Sequence, residues 1–494
     1  MIPNPLLAHG LYGASLSLLT DLYQLTMAYA YWKSGREGDE AIFHLYFRKS
    51  PFGGGFTVAC GLGPVIETVQ RMHFRSDDLA YLATLTGNDG APLFETAFLD
   101  HLAALRFDVD LDAVPEGTVV FPNEPLVRVK GPLIAAQILE TALLNLANFE
   151  TLIATKAARM CLAAKGQPVI EFGLRRAHGI DGALAASRAA YVGGCEATSN
   201  VLAGRLYGIP VKGTHAHSWV MSFPTEEESF RAYAKAMPNN AVFLVDTYDT
   251  LRGVAHAVEA GAALRRDGHE MVGVRLDSGD LAYLSVEARK LLDAGGFPKA
   301  TIVASNDLDE QIITSLKDQG AAIDVWGVGT RLVTAYDQPA LGGVYKLSAI
   351  RRDGGAWEYK VKLSEQTAKV STPGILGVRR FVGETECLGD MIYNEAEPPH
   401  GAALMIDPVD PTRRKAFAAD LASEELLVPV LRKGELVYQV PSLAASRDRT
   451  SRELSRFHAG VKRFVNPHQY PVGLEKGLHD LRTRLILAAR GFAE

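Results

Sequence analysis

Four cysteines in 494 residues, at 60, 161, 195 and 387, are too few and too scattered for a disulfide framework. No C-x-x-C pair occurs, so cysteine encodes neither a zinc ribbon nor a dithiol redox centre. The thiols are expected to be reduced, which points to a cytoplasmic protein. No run of 18 apolar residues is present, so no membrane-spanning helix is expected. The opening "MIPNPLLAHGLYG" has neither a basic n-region nor a continuous apolar h-region, so no signal peptide is expected. An excess of positive charge is also missing. The formal net charge of −6 argues against a body that binds nucleic acid. The one basic segment, "RDRTSRELSRFHAGVKRF", reads as a solvated helical face. Low-complexity tracts and exact internal repeats are absent as well. What remains is an ordinary globular composition, 47% hydrophobic and 22% charged, with length for two or three domains.

From residue 168 to 330 one rhythm recurs: a short apolar run, a polar loop, a helical stretch. The runs are "PVIEFG", "GIPVKGT", "AVFLVDTYD", "MVGVRLDSGD", "ATIVASND" and "IDVWGVGT". Apolar strands without polar alternation are buried on both faces, as in a parallel sheet. Their alternation with helices gives βαβ units, and this many in succession predict a (β/α) barrel over residues 131–340, with a doubly wound sheet as the alternative. The flanks read differently. "EAIFHLYFR" and "TVVFPNEPLVRV" predict strands of another layer, and residues 132–164 predict one long or broken helix. "GGVYKLSAIRRDGGAWEYKVKLS" predicts a hairpin about Asp353-Gly354-Gly355. Residues 377–445 continue in short strands, and the last 45 read as helical. The expected organisation is an α/β domain over 1–130 joined by strands from 340–445, the barrel over 131–340, and a β/helical domain over 377–494.

In such a barrel the loops after the strands hold the chemistry. Here they carry Arg175, Arg176 and His178; Thr214, His215, His217 and Ser218; Asp246, Tyr248 and Asp249; Arg275, Asp277, Ser278 and Asp280; Ser305, Asn306 and Asp307; and Gly327, Gly329, Thr330 and Arg331. "WGVGTR" is a Gly-rich turn whose backbone N–H groups could receive a phosphate, although such glycines are often only tight geometry. The nearby guanidinium groups strengthen that reading, because they pair phosphate or carboxylate in two-pronged fashion. In "RLDSGD", Asp280 is expected to cap the following helix. That leaves Asp277 to grip sugar hydroxyls or a magnesium ion. Asp246, in "VDTYDT", is expected to orient an imidazole by accepting its N–H. The loop lacks the adjacent acids and Thr-Thr-Gly ending of the common phosphoribosyltransferase motif.

His215 and His217 lie two apart after an apolar run. No Cys or H-E-x-x-H pattern accompanies them, so no metal ligand is assigned. In an extended segment both side chains point the same way, so spacing does not choose between them.

Seven ordered segments carry a resemblance: "LLTDLYQLTMAYAYW", "FRKSPFGGGFTVACGL", "EFGLRRAHG", "GTHAHSWVMSF", "LVDTYDT", "GVRLDSGDL" and "WGVGTRLVTA". From residue 16 to about 375 the chain resembles the nicotinate phosphoribosyltransferase family. The resemblance implies an irregular (β/α) barrel of the type II phosphoribosyltransferase kind with flanking α+β domains. It implies a homodimer with shared active sites and an ATP-coupled ligase of NAD biosynthesis. Nicotinate and phosphoribosyl pyrophosphate would give nicotinate mononucleotide and pyrophosphate, with Mg2+ accompanying the phosphorylated substrates. It places a phosphohistidine at His217, with Asp246 holding the other ring nitrogen.

By the same resemblance Tyr23, from the partner subunit, and Phe172 sandwich the pyridine ring. Arg275 pairs the nicotinate carboxylate, Ser199 stands where the related nicotinamide enzyme keeps an aspartate, and Arg175 and Asp277 bracket ribose and pyrophosphate. Gly327, Gly329 and Thr330 cradle the 5′-phosphate, with Arg48 and Lys346 adding charge and Lys369 a weaker candidate. Against these stand plainer readings: Tyr23 as core packing beside Leu22, Leu25, Met27 and Tyr29, and Arg48 as a solvated strand end. The nicotinamide and quinolinate enzymes, a non-catalytic relative that binds pyridine nucleotides, and a generic barrel lyase are the alternatives.

Overall fold

The computed structural model describes residues 16–366 and 370–492. Lys369 lies outside them. The chain forms two compact units, one from residues before Ile153 and after Pro339, the other from Ile153–Pro339. The expected boundary at 130/131 therefore falls instead inside the helix Glu140–Ala164. That continuous helix offers no linker for a sequence reading to find.

The Ile153–Pro339 unit holds six strands, numbered here within it: β1 Val169–Glu171, β2 Ala197–Thr198, β3 Val242–Leu244, β4 Gly273–Leu276, β5 Thr301–Ala304 and β6 Val325–Val328. Their order is β2-β1-β6-β5-β4-β3, parallel throughout. Val274, Leu276, Ile302, Ala304 and Val328 are fully or almost fully buried, as strands covered on both faces must be. "GIPVKGT" was expected to be a further strand, but it forms only a single bridge, Val211 to Thr198. Its glycine and proline leave too few residues for a ladder. The barrel is irregular for that reason: among the described residues no ladder joins β2 to β3.

The helices start where the sequence offers caps. Asp249 accepts from Arg252 N–H at the head of Thr250–Arg266, Asp280 from Tyr283 N–H at the head of Leu281–Ala294, and Asp309 from Gln311 and Ile312 N–H at the head of Glu310–Asp318. Asp280 is thus the cap it was expected to be.

The other unit holds a seven-stranded antiparallel sheet with Glu40–Phe47 near its centre, paired to Gly343–Arg351 and Val127–Pro132. The hairpin pairs Ile350 with Glu358, and inside the connection 351–357 the chain turns where expected, with Asp353 at φ 45° and Gly354 at φ 72°, both left-handed. The helical segment breaks into Leu133–Ile138 and Glu140–Ala164. Most strands between Leu376 and Glu475 form a six-stranded sheet of their own, while Val428–Arg432 and Glu435–Leu436 extend the seven-stranded one. They share one compact unit with the N-terminal segment, however, so the expected 377–494 domain does not stand alone. The final 45 residues include a strand, Val472–Glu475, as well as helices. No helix among the described residues is long and apolar enough to cross a membrane.

Candidate active site

At the C-terminal ends of β3, β4 and β5, one hydrogen-bonded cluster forms around Arg275. Its Nε donates to Ser305 Oγ at 2.9 Å, Nη1 to Thr214 Oγ1 at 3.0 Å and Nη2 to Asp277 Oδ1 at 2.8 Å. A guanidinium has five N–H groups, so two remain for a ligand. Its Cζ stands 5.6 Å from the Phe172 ring centroid, within cation–π range. Arginine and phenylalanine, expected to touch opposite parts of one flat acid, are therefore neighbours.

Asp277 also receives the Ser305 hydroxyl. Burial alone would raise its pKa. The Arg275 charge, hydrogen bonds from Ser305 and Arg275, and the nearby His217 outweigh that and hold it below the ordinary aspartate value. It is an anion at neutral pH. Its Oδ2 lies 3.7 Å from His217 Nε2, and His217 Nδ1 lies 3.1 Å from the Thr247 hydroxyl.

The two histidines separate cleanly. His215 is 8% exposed and its Nε2 accepts the Leu244 N–H at 3.2 Å. Its ring packs edge-on to Tyr233 at 4.8 Å. Burial, with Arg275 and His217 nearby, lowers its pKa to about 4. It is a neutral structural residue with its acceptor nitrogen in use. The His217 side chain is 40% exposed, at the first position of the short helix His217–Met221.

The expected role of Asp246 needs correcting. Its Oδ2 does not hold His217 but accepts the Asp277 N–H at 2.9 Å and the Ser278 hydroxyl at 2.5 Å. Its Oδ1 is buried without a hydrogen-bond partner. Residue 246 fixes the loop that carries Asp277, while Thr247 and Asp277 address the imidazole. Thr247 was missed because alternation along an extended loop reveals which residues share a face, not which neighbouring strand they meet.

Phe172 follows β1, its N–H bonded to Val328 O. A Cβ at Gly327 would come within 2.7 Å of two Phe172 ring carbons, and one at Gly329 would meet the Phe172 carbonyl oxygen at 3.4 Å. Gly327 thus has a packing reason to be glycine, independent of any phosphate. Thr330 opens a helix of only four residues, Thr330–Val333. Arg331 is engaged with Asp309, Nη1 to Oδ2 at 2.5 Å. Arg175 is exposed in the turn Leu174–Arg176 and makes no ion pair among the described residues. Ser199 is held by its N–H on Glu171 O at 2.9 Å. Beyond β5, Asn306 and Asp307 both adopt positive φ, 99° and 42°, an uncommon pairing that concentrates at functional loops.

Three expected residues belong to the other unit. Tyr23 is 47% exposed beside Leu19 and Leu22, at 42% and 53%, so it is not core packing; Leu25 and Ala28 face inward instead. Arg48 directly follows the strand Glu40–Phe47 and is half-buried. Lys346 pairs with His44 across the sheet. Burial, and repulsion from Lys362 and Arg48 against the attraction of Glu140, lower its pKa.

An irregular parallel half-barrel with charged side chains at its strand ends, in a chain that also carries a mixed α/β unit, is the architecture of a type II phosphoribosyltransferase. The chain superposes on the crystal structure of human nicotinic acid phosphoribosyltransferase with a TM-score of 0.82 and 35% identity, covering 94% of this chain and 99% of that one. Its fold is also that of nicotinate-nucleotide pyrophosphorylase from Pyrococcus furiosus, at TM-score 0.67 and 22% identity, over 89% and 95% of the two chains. Residues 18–148, 168–382 and 377–482 match, respectively, the N-terminal domain, the family and the C-terminal domain of nicotinate phosphoribosyltransferase (NAPRTase). The nicotinate phosphoribosyltransferase of Bacillus subtilis (strain 168) is 43% identical over 97% of this chain and 99% of its own length. The Homo sapiens protein of that name is 38% identical over 95% and 96%. The chain belongs to the nicotinate phosphoribosyltransferase family.

Proposed function

We propose that this protein transfers a phosphoribosyl group from phosphoribosyl pyrophosphate to nicotinate in NAD biosynthesis, and that ATP hydrolysis is coupled to the transfer through phosphorylation of His217. The observation that carries the reading is a half-exposed His217 addressed by Asp277 and Thr247, beside a His215 whose acceptor nitrogen is already used. Asp277 at Nε2 favours the tautomer with the proton there, so Nδ1 is the nucleophile once the Thr247 hydroxyl that meets its lone pair rotates away. Nδ1 attacks the γ-phosphorus of ATP, the bond to the β–γ bridging oxygen breaks, and ADP leaves. Water later cleaves the P–N bond, releasing phosphate and restoring the imidazole.

In the transfer step the nicotinate ring nitrogen bonds to the ribose C1′ as the C1′–O bond to pyrophosphate breaks. Arg275 offers its two unused N–H groups to the nicotinate carboxylate, and Phe172 offers a face for the ring. Asp277 stabilises positive charge developing on the ribose. Arg175, Gly329 and Thr330 are assigned to phosphate groups, with Arg48 and Lys346 as cations of the other unit. Mg2+ fits the donor set: the unpartnered Asp246 Oδ1 and Asp277 Oδ2 are hard oxygens that would hold it. When bound, the ion neutralises phosphate charge. The exposed group of Leu19, Leu22 and Tyr23 supports a homodimer in which Tyr23 serves the partner's ring site. The reading places the enzyme in the cytoplasm.

The test is a product assay with Mg2+, phosphoribosyl pyrophosphate and either nicotinate or nicotinamide, with and without ATP. The expected result is nicotinate mononucleotide, formed faster with ATP and accompanied by ADP. Product from nicotinamide alone would transfer the assignment to the sister activity.

A further inference from the structure

Glu171 ends β1 with a fully buried carboxylate, where the sequence pattern calls for an apolar residue. It forms no ion pair among the described residues, yet it is surrounded by donors. Oε1 accepts the Gly173 N–H. Oε2 accepts the hydroxyls of Ser187 at 2.8 Å and Thr198 at 2.5 Å. Its backbone carbonyl takes the Ser199 N–H at 2.9 Å. Asn200 completes the group, its side chain donating to Ser187 Oγ at 3.2 Å and its N–H to Thr198 Oγ1 at 2.9 Å.

The consequence is spatial. Phe172 lies between Glu171 and Gly173, so both of its chain neighbours are fixed by one carboxylate. Ser199 lies between Thr198 and Asn200, both in the same network. We infer that Glu171 is a positioning residue that locks Phe172 and Ser199 into a single rigid wall of the nicotinate pocket. The inference rests on the proposed reading of that pocket. A buried acid is expensive to keep, and three donors converging on it explain its retention. Glutamine keeps the shape but presents an NH2 where a donor now points, so part of the network must rearrange.

The experiment compares wild type with Glu171→Gln and with Thr198→Val, which removes one donor and leaves the carboxylate. Steady-state kinetics and backbone amide exchange over residues 170–178 are both measured. The expected result for Glu171→Gln is a nicotinate KM raised at least five-fold, with the KM for phosphoribosyl pyrophosphate changed less than two-fold. Faster exchange at Gly173 should accompany it, and Thr198→Val should shift the same way by less. Equal rises in both KM values, or wild-type KM and exchange in both variants, would overturn the inference. If wild type does not convert nicotinate, the functional reading fails separately. The clamp is then judged by exchange alone, and unchanged Gly173 protection in Glu171→Gln overturns it.

Discussion

Protonating His215 would break its bond to the Leu244 N–H and put a charge against Phe230 and Tyr233. Its folded pKa of about 4 lies below the ordinary 6.5, so the unfolded chain takes up the proton first. The resulting stability is complete above about pH 6.5 and is lost as pH falls toward 4, amounting to roughly 2–3 kcal/mol between pH 7 and 4.5. Urea unfolding at those two pH values should show a loss smaller by about that amount in His215→Gln than in wild type, since buried His44, whose pKa is also pushed down by burial, acts in both. Arg275 makes a second prediction. Lysine lacks the rigid fork that reaches Ser305, Thr214 and Asp277 together, so Arg275→Lys should raise the nicotinate KM about 10- to 100-fold. A variant within two-fold of wild type would remove Arg275 from the ring site. At this scale the sequence was informative about residue type but not about partner. The loop inventory contained Thr214, Ser305 and Asp277 because charge and hydroxyls stand out after apolar strands. Asp246 was paired with the wrong neighbour because spacing within one loop carries no information about the next strand.

The elements explain Gly327 and Asp280 differently. A methyl at Gly327 would press on the Phe172 ring at 2.7 Å, so Gly327→Ala should displace the ring and raise the nicotinate KM at least 10-fold, by the general rule that close-packed sites yield only by shifting. Asp280 only caps its helix, so Asp280→Ala should cost about 1 kcal/mol of stability and leave KM unchanged. Parallel denaturation and kinetic measurements on the two variants separate packing at the site from helix ending; the reverse pattern would contradict both assignments. Most elements were legible beforehand because buried runs and capping residues act locally. The segment "GIPVKGT" was not, since a strand forms only where a neighbour supplies its ladder. Glu171 did leave a signal: a lone acid inside "PVIEFG", a run otherwise suited to burial on both faces.

For the whole molecule, stability in the first unit depends on a buried ion group that no periodicity reveals. Arg380, with no exposed surface, donates from Nε and Nη2 to Asp390 at 2.9 and 2.6 Å and from Nη1 to Glu453 at 2.8 Å. Removing one partner strands buried charge, so Arg380→Met should destabilise by about 3–5 kcal/mol in thermal or urea unfolding. A loss under 1 kcal/mol would show the group to be dispensable. The two-unit division was itself only half legible, because it falls within a helix and joins segments distant in sequence. In the proposed reading the ATP-coupled step turns on a single atom, His217 Nδ1, which lies 3.1 Å from the Thr247 hydroxyl. The most direct measurement is incorporation of acid-labile label from ATP radiolabelled at its γ-phosphate into wild type, His215→Gln and His217→Ala. Labelling of the first two and none in His217→Ala is the predicted result; label retained in His217→Ala would contradict the account.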